Sequence, residues 1–335
     1  MVLLAHMPLI KQVLRLILLA ITTYIAVKTT TFGWNSWSGS YQGGGSEETA
    51  RDLRAHVTRL AGEIGQRDIF RNNAPGLKAA EEYIIFRLKS YGYIVEIQKY
   101  RAAGTTARNI TAVRTGARTP DEPVLVGAHY DTFENPGADD NASGVAGMLT
   151  LARLMAGTRP ARTLKFIAFA NEEPPFFRTD YMGSAVWAKA AAARKEKIKG
   201  AVILEMIGYF SERPLSQKYP PLIGPFRPNK GNFIAQVSDF ASRGLAGTLD
   251  REFKKNSTLP LLTIVLPSVI PGVDYSDHRN FWKTGCPAVM FTDTAFYRNP
   301  NYHKSSDTPA TLNYGYMAGL IAGLEPALTA LADGK

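Results

Sequence analysis

Apolar and polar positions alternate along the chain in two distinct periods. An apolar run at 16–27 (LILLAITTYIAV) is followed at 35–46 (NSWSGSYQGGGS) by a Gly/Ser-rich stretch with no periodicity, which reads as a flexible tether. Leu53, Val57, Leu60 and Ile64 then recur at helical spacing, and Ala80, Tyr83, Ile84 and Leu88 repeat the pattern before Gly92. From there short apolar runs interleave with amphipathic ones. They predict strands at 93–98, 109–113, 124–128, 164–170, 201–206, 261–265 and 288–291, and helices at 143–155, 183–193, 232–243, 277–284 and 311–331. This order predicts an α/β fold, a three-layer α/β/α sandwich around a mixed, mostly parallel central sheet. Ligands are then expected at the carboxyl ends of the parallel strands. The Pro-rich stretch 214–228 predicts a long loop of the kind that walls or covers a site. No internal repeat is visible, and the expected divisions are a signal or anchor at 1–28, a tether at 29–48 and one folded domain at 49–335.

Composition narrows the chemistry. With 335 residues, 45% hydrophobic and 20% charged, the chain can bury a sizeable core, which excludes whole-chain disorder. The single cysteine, Cys286, excludes an internal disulfide and a thiolate metal cluster. It lies in a Gly-Cys-Pro turn before an apolar strand, a poor setting for a nucleophile. Any metal site must therefore be built from His, Asp and Glu.

The net charge of +10 raises nucleic acid as a partner, but no run of five Lys/Arg and no zinc-finger or RNA-binding signature occurs, so no nucleic-acid partner is expected. Arg194, Lys195, Lys197 and Lys199 follow an Ala-rich helix and read as its solvated end. Lys11, Arg15 and Lys28 accompany the apolar run with no acid before Glu47, so three surplus charges belong to a targeting pattern. The segment is expected to carry the folded part to the periplasmic or extracellular side, as a cleaved signal or, somewhat favoured, a membrane anchor.

The chemistry-bearing residues sit where apolar strands stop. The predicted strand 124–128 runs into His129-Tyr130-Asp131, and side chains two apart on an extended chain share a side, so Asp131 can hold His129 in one tautomer. Asp139-Asp140 opens the next helix; paired aspartates there could be simple N-caps. The strand 164–170 ends in Asn171-Glu172-Glu173, adjacent carboxylates costly to bury without a cation or an acid-base task. One can ligate a metal while its neighbour reaches a water. Glu205 lies inside an apolar run, and His303 supplies a second imidazole from a polar loop. Two histidines and three carboxylates suit a pair of divalent ions with one carboxylate bridging; the imidazole share favours zinc over cobalt or manganese. Ser276-Asp277-His278 cannot form a hydrolytic triad from consecutive positions. Ser276 reads as a helix cap, Asp277 and His278 as site wall or as support behind it, and Tyr275 or Tyr302 as hydrogen-bond donors to an oxyanion. Pro174-Pro175-Phe176-Phe177 reads as a rigid apolar wall.

In this order the strings HYD, PGADDNASG, NEE, LEMIGY, SDH and HKSSDT resemble the M28 family of zinc metallopeptidases, the two-zinc aminopeptidases, with the likeness running from about Leu53 to Leu331. The resemblance implies that His129, Asp140, Glu173, Glu205 and His303 bind two zinc ions, that Asp140 bridges, that Glu172 is the general base and that Asp131 orients His129. It places His129, Asp140 and Glu205 on one ion, and Asp140, Glu173 and His303 on the other; Asp139 is structural. The implied reaction is removal of N-terminal residues from peptides with a free N-terminus. Many family members carry Asp where this chain has Glu205, one methylene longer. Two alternatives come with the resemblance: a glutaminyl cyclase-like acyltransferase, and a catalytically inactive, receptor-like member that would have lost ligands kept here. Oligomeric state and preference among residues are not legible.

Overall fold

The computed structural model describes residues 12, 15–19, 41, 43–69, 74–220 and 227–334. The expected anchor and most of the tether lie outside these residues, apart from 12 and 15–19, which are helical, and 41 and 43–48. The first long helix, α1 (Glu47–Val57), begins where the Ser46 side chain accepts the Thr49 N–H at 3.0 Å, with Glu47 and Glu48 in its first turn favouring the helix dipole. A π-helical turn, Thr58–Ile64, extends it before Gly65. The second helix, α2 (Ala74–Ser90), precedes β1 (Ile94–Ala102), β2 (Thr105–Arg114) and β3 (Thr119–His129). Then come α3 (Gly144–Met155), β4 (Arg162–Phe169), α4 (Gly183–Ala193), β5 (Gly200–Leu204), β6 (Ile234–Ser238), α5 (Arg243–Asn256), β7 (Leu261–Val265), α6 (His278–Lys283), β8 (Ala288–Thr292) and α7 (Tyr314–Asp333).

The strands form one sheet in the order β1-β2-β4-β3-β5-β8-β6-β7. Its centre, β4-β3-β5-β8, is parallel throughout, as is β6-β7, while β1-β2, β2-β4 and β6-β8 pair antiparallel. The mixed sheet thus matches the predicted architecture. Helices α1, α2, α3, α5 and α7 bury their apolar stripes on one face, and α4 and α6 cover the other with Trp187, Ala188, Ala191 and Phe281. Where that second face runs on to β8, β6 and β7 it is packed by loop residues such as Leu266 and Val273 rather than by a further helix. The last helix is long and apolar enough to cross a membrane, but 56% of that stretch is buried, as suits a core helix.

One predicted helix is corrected. The stretch 232–243 holds β6 and a turn, and the helix α5 follows it. Phe233, Ile234, Ala235 and Val237 fit either period, and β6 is buried on both faces between β8 and β7, so the alternation that marks a strand is missing. Of the predicted loop 214–228, residues 221–226 lie outside the described ones; the flanks are tied where the Ser211 N–H reaches the Gly231 carbonyl at 2.8 Å.

Candidate metal centre

Three neighbouring parallel strands deliver the centre. His129 is the last residue of β3, Glu172 and Glu173 follow β4, and Glu205 follows β5. Asn171, at φ 60°, turns the chain between β4 and the two glutamates. Asp140 comes from the turn before α3, which Gly137 initiates at φ 61°; a Cβ there would lie 2.3 Å from the Asp140 carbonyl oxygen, so glycine is required. His303 arrives from the loop before α7, its ring stacked on Tyr302 at 3.8 Å and 5.0 Å from Phe133.

These residues converge. His129 Nε2 lies 3.3 Å from Asp140 Oδ1 and 3.3 Å from Glu205 Oε2. His303 Nε2 lies 3.2 Å from Asp140 Oδ2 and 3.3 Å from Glu173 Oε2. The two oxygens of Asp140 are therefore divided between two imidazoles. Neither Nε2 atom forms a directed hydrogen bond, and Glu173 Oε1 also lacks a partner. Ligands of one tetrahedral zinc, each about 2.1 Å from the ion, stand about 3.4 Å apart, so both triads fit such an ion. When ionised, Asp140, Glu172, Glu173 and Glu205 carry four negative charges, which two dications would balance.

The surroundings hold this geometry. Asp131 accepts the N–H groups of Glu172 and Glu173, each at 3.1 Å, while its Oδ1 stands 3.4 Å from His129 Nδ1. One carboxylate thus joins the ends of β3 and β4. Asp307 does the same for the Asp140 turn, accepting the N–H of Asp139 at 2.9 Å and of Asp140 at 3.1 Å. Asp139 points away from the centre, bound by the Gly208 N–H at 2.9 Å and Asn299 Nδ2 at 2.6 Å. The Ser276 hydroxyl donates to Glu205 Oε2 at 2.6 Å, and Asp277 rather than Ser276 stands at the α6 cap. That corrects the reading of Ser276, whose bond to a residue 71 positions away leaves no local signal. Arg67, also unsignalled, is wholly buried and donates to the carbonyls of Leu60, Gly65, Tyr130, Pro136 and Gly137.

Burial pushes the Glu173 carboxyl up to about 8, with Asp140 adding to it against the pull of His303. Burial likewise raises Glu172 well above the carboxylate range, helped by Glu205, Glu173 and Asp277 and opposed by His129. Burial opposes protonation of His303, yet Asp140 and Glu173 outweigh it and raise the imidazole to about 10. Carboxylates held this far from water favour a bound proton or a cation.

A cavity of about 280 Å³ opens onto the centre, lined at its inner end by Asp140, Glu172, Glu173 and Glu205. By the measure in which one water takes about 10–15 Å³, that is room for a large side chain. Its walls are mostly apolar and come from β6, β7 and β8 through Ala235, Val237, Ile264 and Met290, and from Leu266, Val273 and Tyr219. Pro174, Phe177, Tyr275 and Tyr302, all expected near the site, also line it. His278 does not reach it: its Nε2 lies 2.7 Å from the Val273 carbonyl oxygen.

Residues 109–322 match the model of peptidase family M28. The uncharacterized protein YfbL of Escherichia coli (strain K12) is 41% identical over 263 residues, 76% of this chain and 80% of that protein. A probable zinc metalloprotease of Pyrenophora teres f. teres (strain 0-1) is 24% identical over 284 residues, 74% of this chain but 57% of its own length. Among solved structures, a zinc aminopeptidase from Bacillus subtilis superposes with a TM-score of 0.65 at 14% identity, covering 84% of this chain and 94% of that one. The glutaminyl cyclase of Fimbriiglobus ruber gives 0.62 at 19% identity, covering 88% and 99%. At such identities these two structures establish a shared fold.

Proposed function

The chain belongs to peptidase family M28, and is therefore a hydrolase of peptide bonds, and from that membership we propose that it is a two-zinc aminopeptidase. Its substrates are peptides with a free N-terminus, and the apolar cavity supports a bulky apolar first residue. The observation that carries this reading is the division of the Asp140 oxygens between His129 and His303. His129, Asp140 and Glu205 would hold one zinc; Asp140, Glu173 and His303 would hold the other. Bound there, zinc supplies Lewis-acid polarisation of the scissile carbonyl and makes a water acidic enough to attack near neutral pH. Glu172 lines the cavity beside both triads, takes the proton of the attacking water on its carboxylate, and returns it to the leaving amine. Asp131 fixes the tautomer of His129 through its backbone carbonyl oxygen, 3.2 Å from Nδ1, with its carboxylate Oδ1 at 3.4 Å. Tyr302, whose hydroxyl burial keeps protonated, donates toward the oxyanion.

Export belongs to the same proposal, with 1–28 as signal or anchor, 29–48 as tether and the remainder as catalytic domain. The apolar run 16–27 behind Lys11 and Arg15 supports it. Fractionation of cells expressing the whole chain should recover the activity outside the cytoplasm.

Metal analysis of the purified protein should find about two zinc ions per chain; no tightly bound metal would sink the mechanism. Glu172→Gln should lower kcat by at least about 100-fold with both metals retained. Undiminished turnover would remove Glu172 from the base role. The fold shared with a glutaminyl cyclase favours one second reading, cyclisation of N-terminal glutamine. Release of pyroglutamyl peptide from a glutaminyl peptide, without release of a free amino acid, would decide for it.

A further inference from the structure

The cavity is acidic at its inner end, and Arg178, which does not itself line it, stacks on two of its lining rings. The rings of Phe177 and Tyr275 meet edge to face at 6.0 Å, and Tyr275 lies 6.2 Å from Phe296, making an aromatic rim. Arg178 rests on this rim, its guanidinium carbon 4.8 Å from the Tyr275 ring centre and 5.6 Å from that of Phe177. One of its nitrogens pairs with Asp274, which Arg279 also approaches at 3.4 Å. Two guanidinium groups thus share one carboxylate, and a positive charge is left over. Arg178 Nε and Nη1 have no acceptor among the described residues, and the side chain is 44% exposed. Aromatic stacking and the Asp274 pair hold the planar fork in place and leave it N–H groups with which to receive a carboxylate.

Few residues connect Arg178 to the centre. Tyr275 adjoins Ser276, whose hydroxyl is 2.6 Å from Glu205, and Arg178 is one ring beyond Tyr275. An extended peptide gains about 3.3 Å per residue. A substrate with its amine at the acidic end therefore brings its terminal carboxylate toward this rim after very few residues. Lys218 does line the cavity, but its backbone N–H binds the Tyr297 carbonyl at 2.8 Å, at the far end of the aromatic rim, and no described group fixes its ammonium.

Resting on the aminopeptidase reading, we infer that Arg178 forms a carboxylate-binding subsite beside the aromatic rim of the cavity, which selects di- and tripeptides with a free carboxyl end. It binds ground state and transition state alike, so its effect falls on KM rather than kcat.

The test is steady-state hydrolysis by the metal-loaded enzyme of Leu-Phe, Leu-Ala-Phe and Leu-Ala-Ala-Ala-Phe, each as free acid and as amide. The acids of the two shorter peptides should be preferred by about tenfold in kcat/KM, through KM, and the pentapeptide should show no preference. Arg178→Met should abolish the preference while leaving kcat on the amides unchanged, Arg178→Lys should restore part of it, and Lys218→Met should leave it intact. Equal efficiency on acid and amide at every length in the wild type would overturn the inference and leave the aminopeptidase reading standing. Loss of the preference in Lys218→Met but not in Arg178→Met would overturn the assignment to Arg178. Cleavage of none of the six peptides would overturn both.

Discussion

Asp131 shows how much one side chain can settle. Both its oxygens are occupied by the backbone N–H groups of Glu172 and Glu173, and Oδ1 also faces His129 Nδ1. The same carboxylate thus aims a ligand, a proposed base and an imidazole. Asp131→Asn offers one acceptor and one donor in place of two acceptors, so one N–H is left facing an amide. Zinc affinity is expected to fall by about 10- to 100-fold, measured by competition with a chromophoric chelator. Unchanged affinity would show that the backbone alone fixes His129. Of the candidate residues, His129, Asp131, Glu172 and Glu173 were legible because they follow apolar strand runs and Glu205 because it interrupts one, while Asp140 and His303 stand in a turn and a polar loop. Ser276 and Arg67 were not, since their partners lie at distant positions or are backbone carbonyls that any residue supplies.

The centre exists because separate elements are locked together, and Arg67 is the largest lock. It joins the π-helical turn after α1, through Leu60, to the residue after His129 and to the turn that carries Asp140. Arg67→Met would leave five buried carbonyls without this donor. Each unsatisfied group costs about 1–3 kcal/mol, so a loss of at least about 4 kcal/mol in unfolding free energy is expected from urea denaturation. A change below about 1 kcal/mol would mean that water replaces the guanidinium. Element reading from periodicity worked where helices are amphipathic or strands are flanked by charge. It failed at β6, whose run is buried on both sides, and consequently also missed α5. The cavity could not be anticipated either, because Ala235, Val237 and Ile264 look like ordinary core residues until the layer above them proves to be loop.

Across the whole molecule, two buried imidazoles outside the centre couple its stability to pH. His56 sits among α1, Tyr83 and Tyr91, and His278 starts α6 on the opposite face; burial lowers each to about 4. Unfolding frees them to titrate near 6.5, so their stabilisation is complete above that pH and is lost as pH falls toward 4. The loss amounts to at most about 3 kcal/mol for each. Urea midpoints between pH 7 and 4.5 should fall more steeply for the wild type than for His56→Gln or His278→Gln; parallel curves would remove these groups as the cause.

The sheet also divides its work along its width. Most residues of the candidate centre stand at the ends of β3, β4 and β5, which are packed on both sides by helices, whereas the cavity wall is drawn from β6, β7 and β8 under loops. A substitution at Leu266 or Val273 can therefore reshape the cavity wall, whereas one at Ser276, farther along the same loop, would reach Glu205.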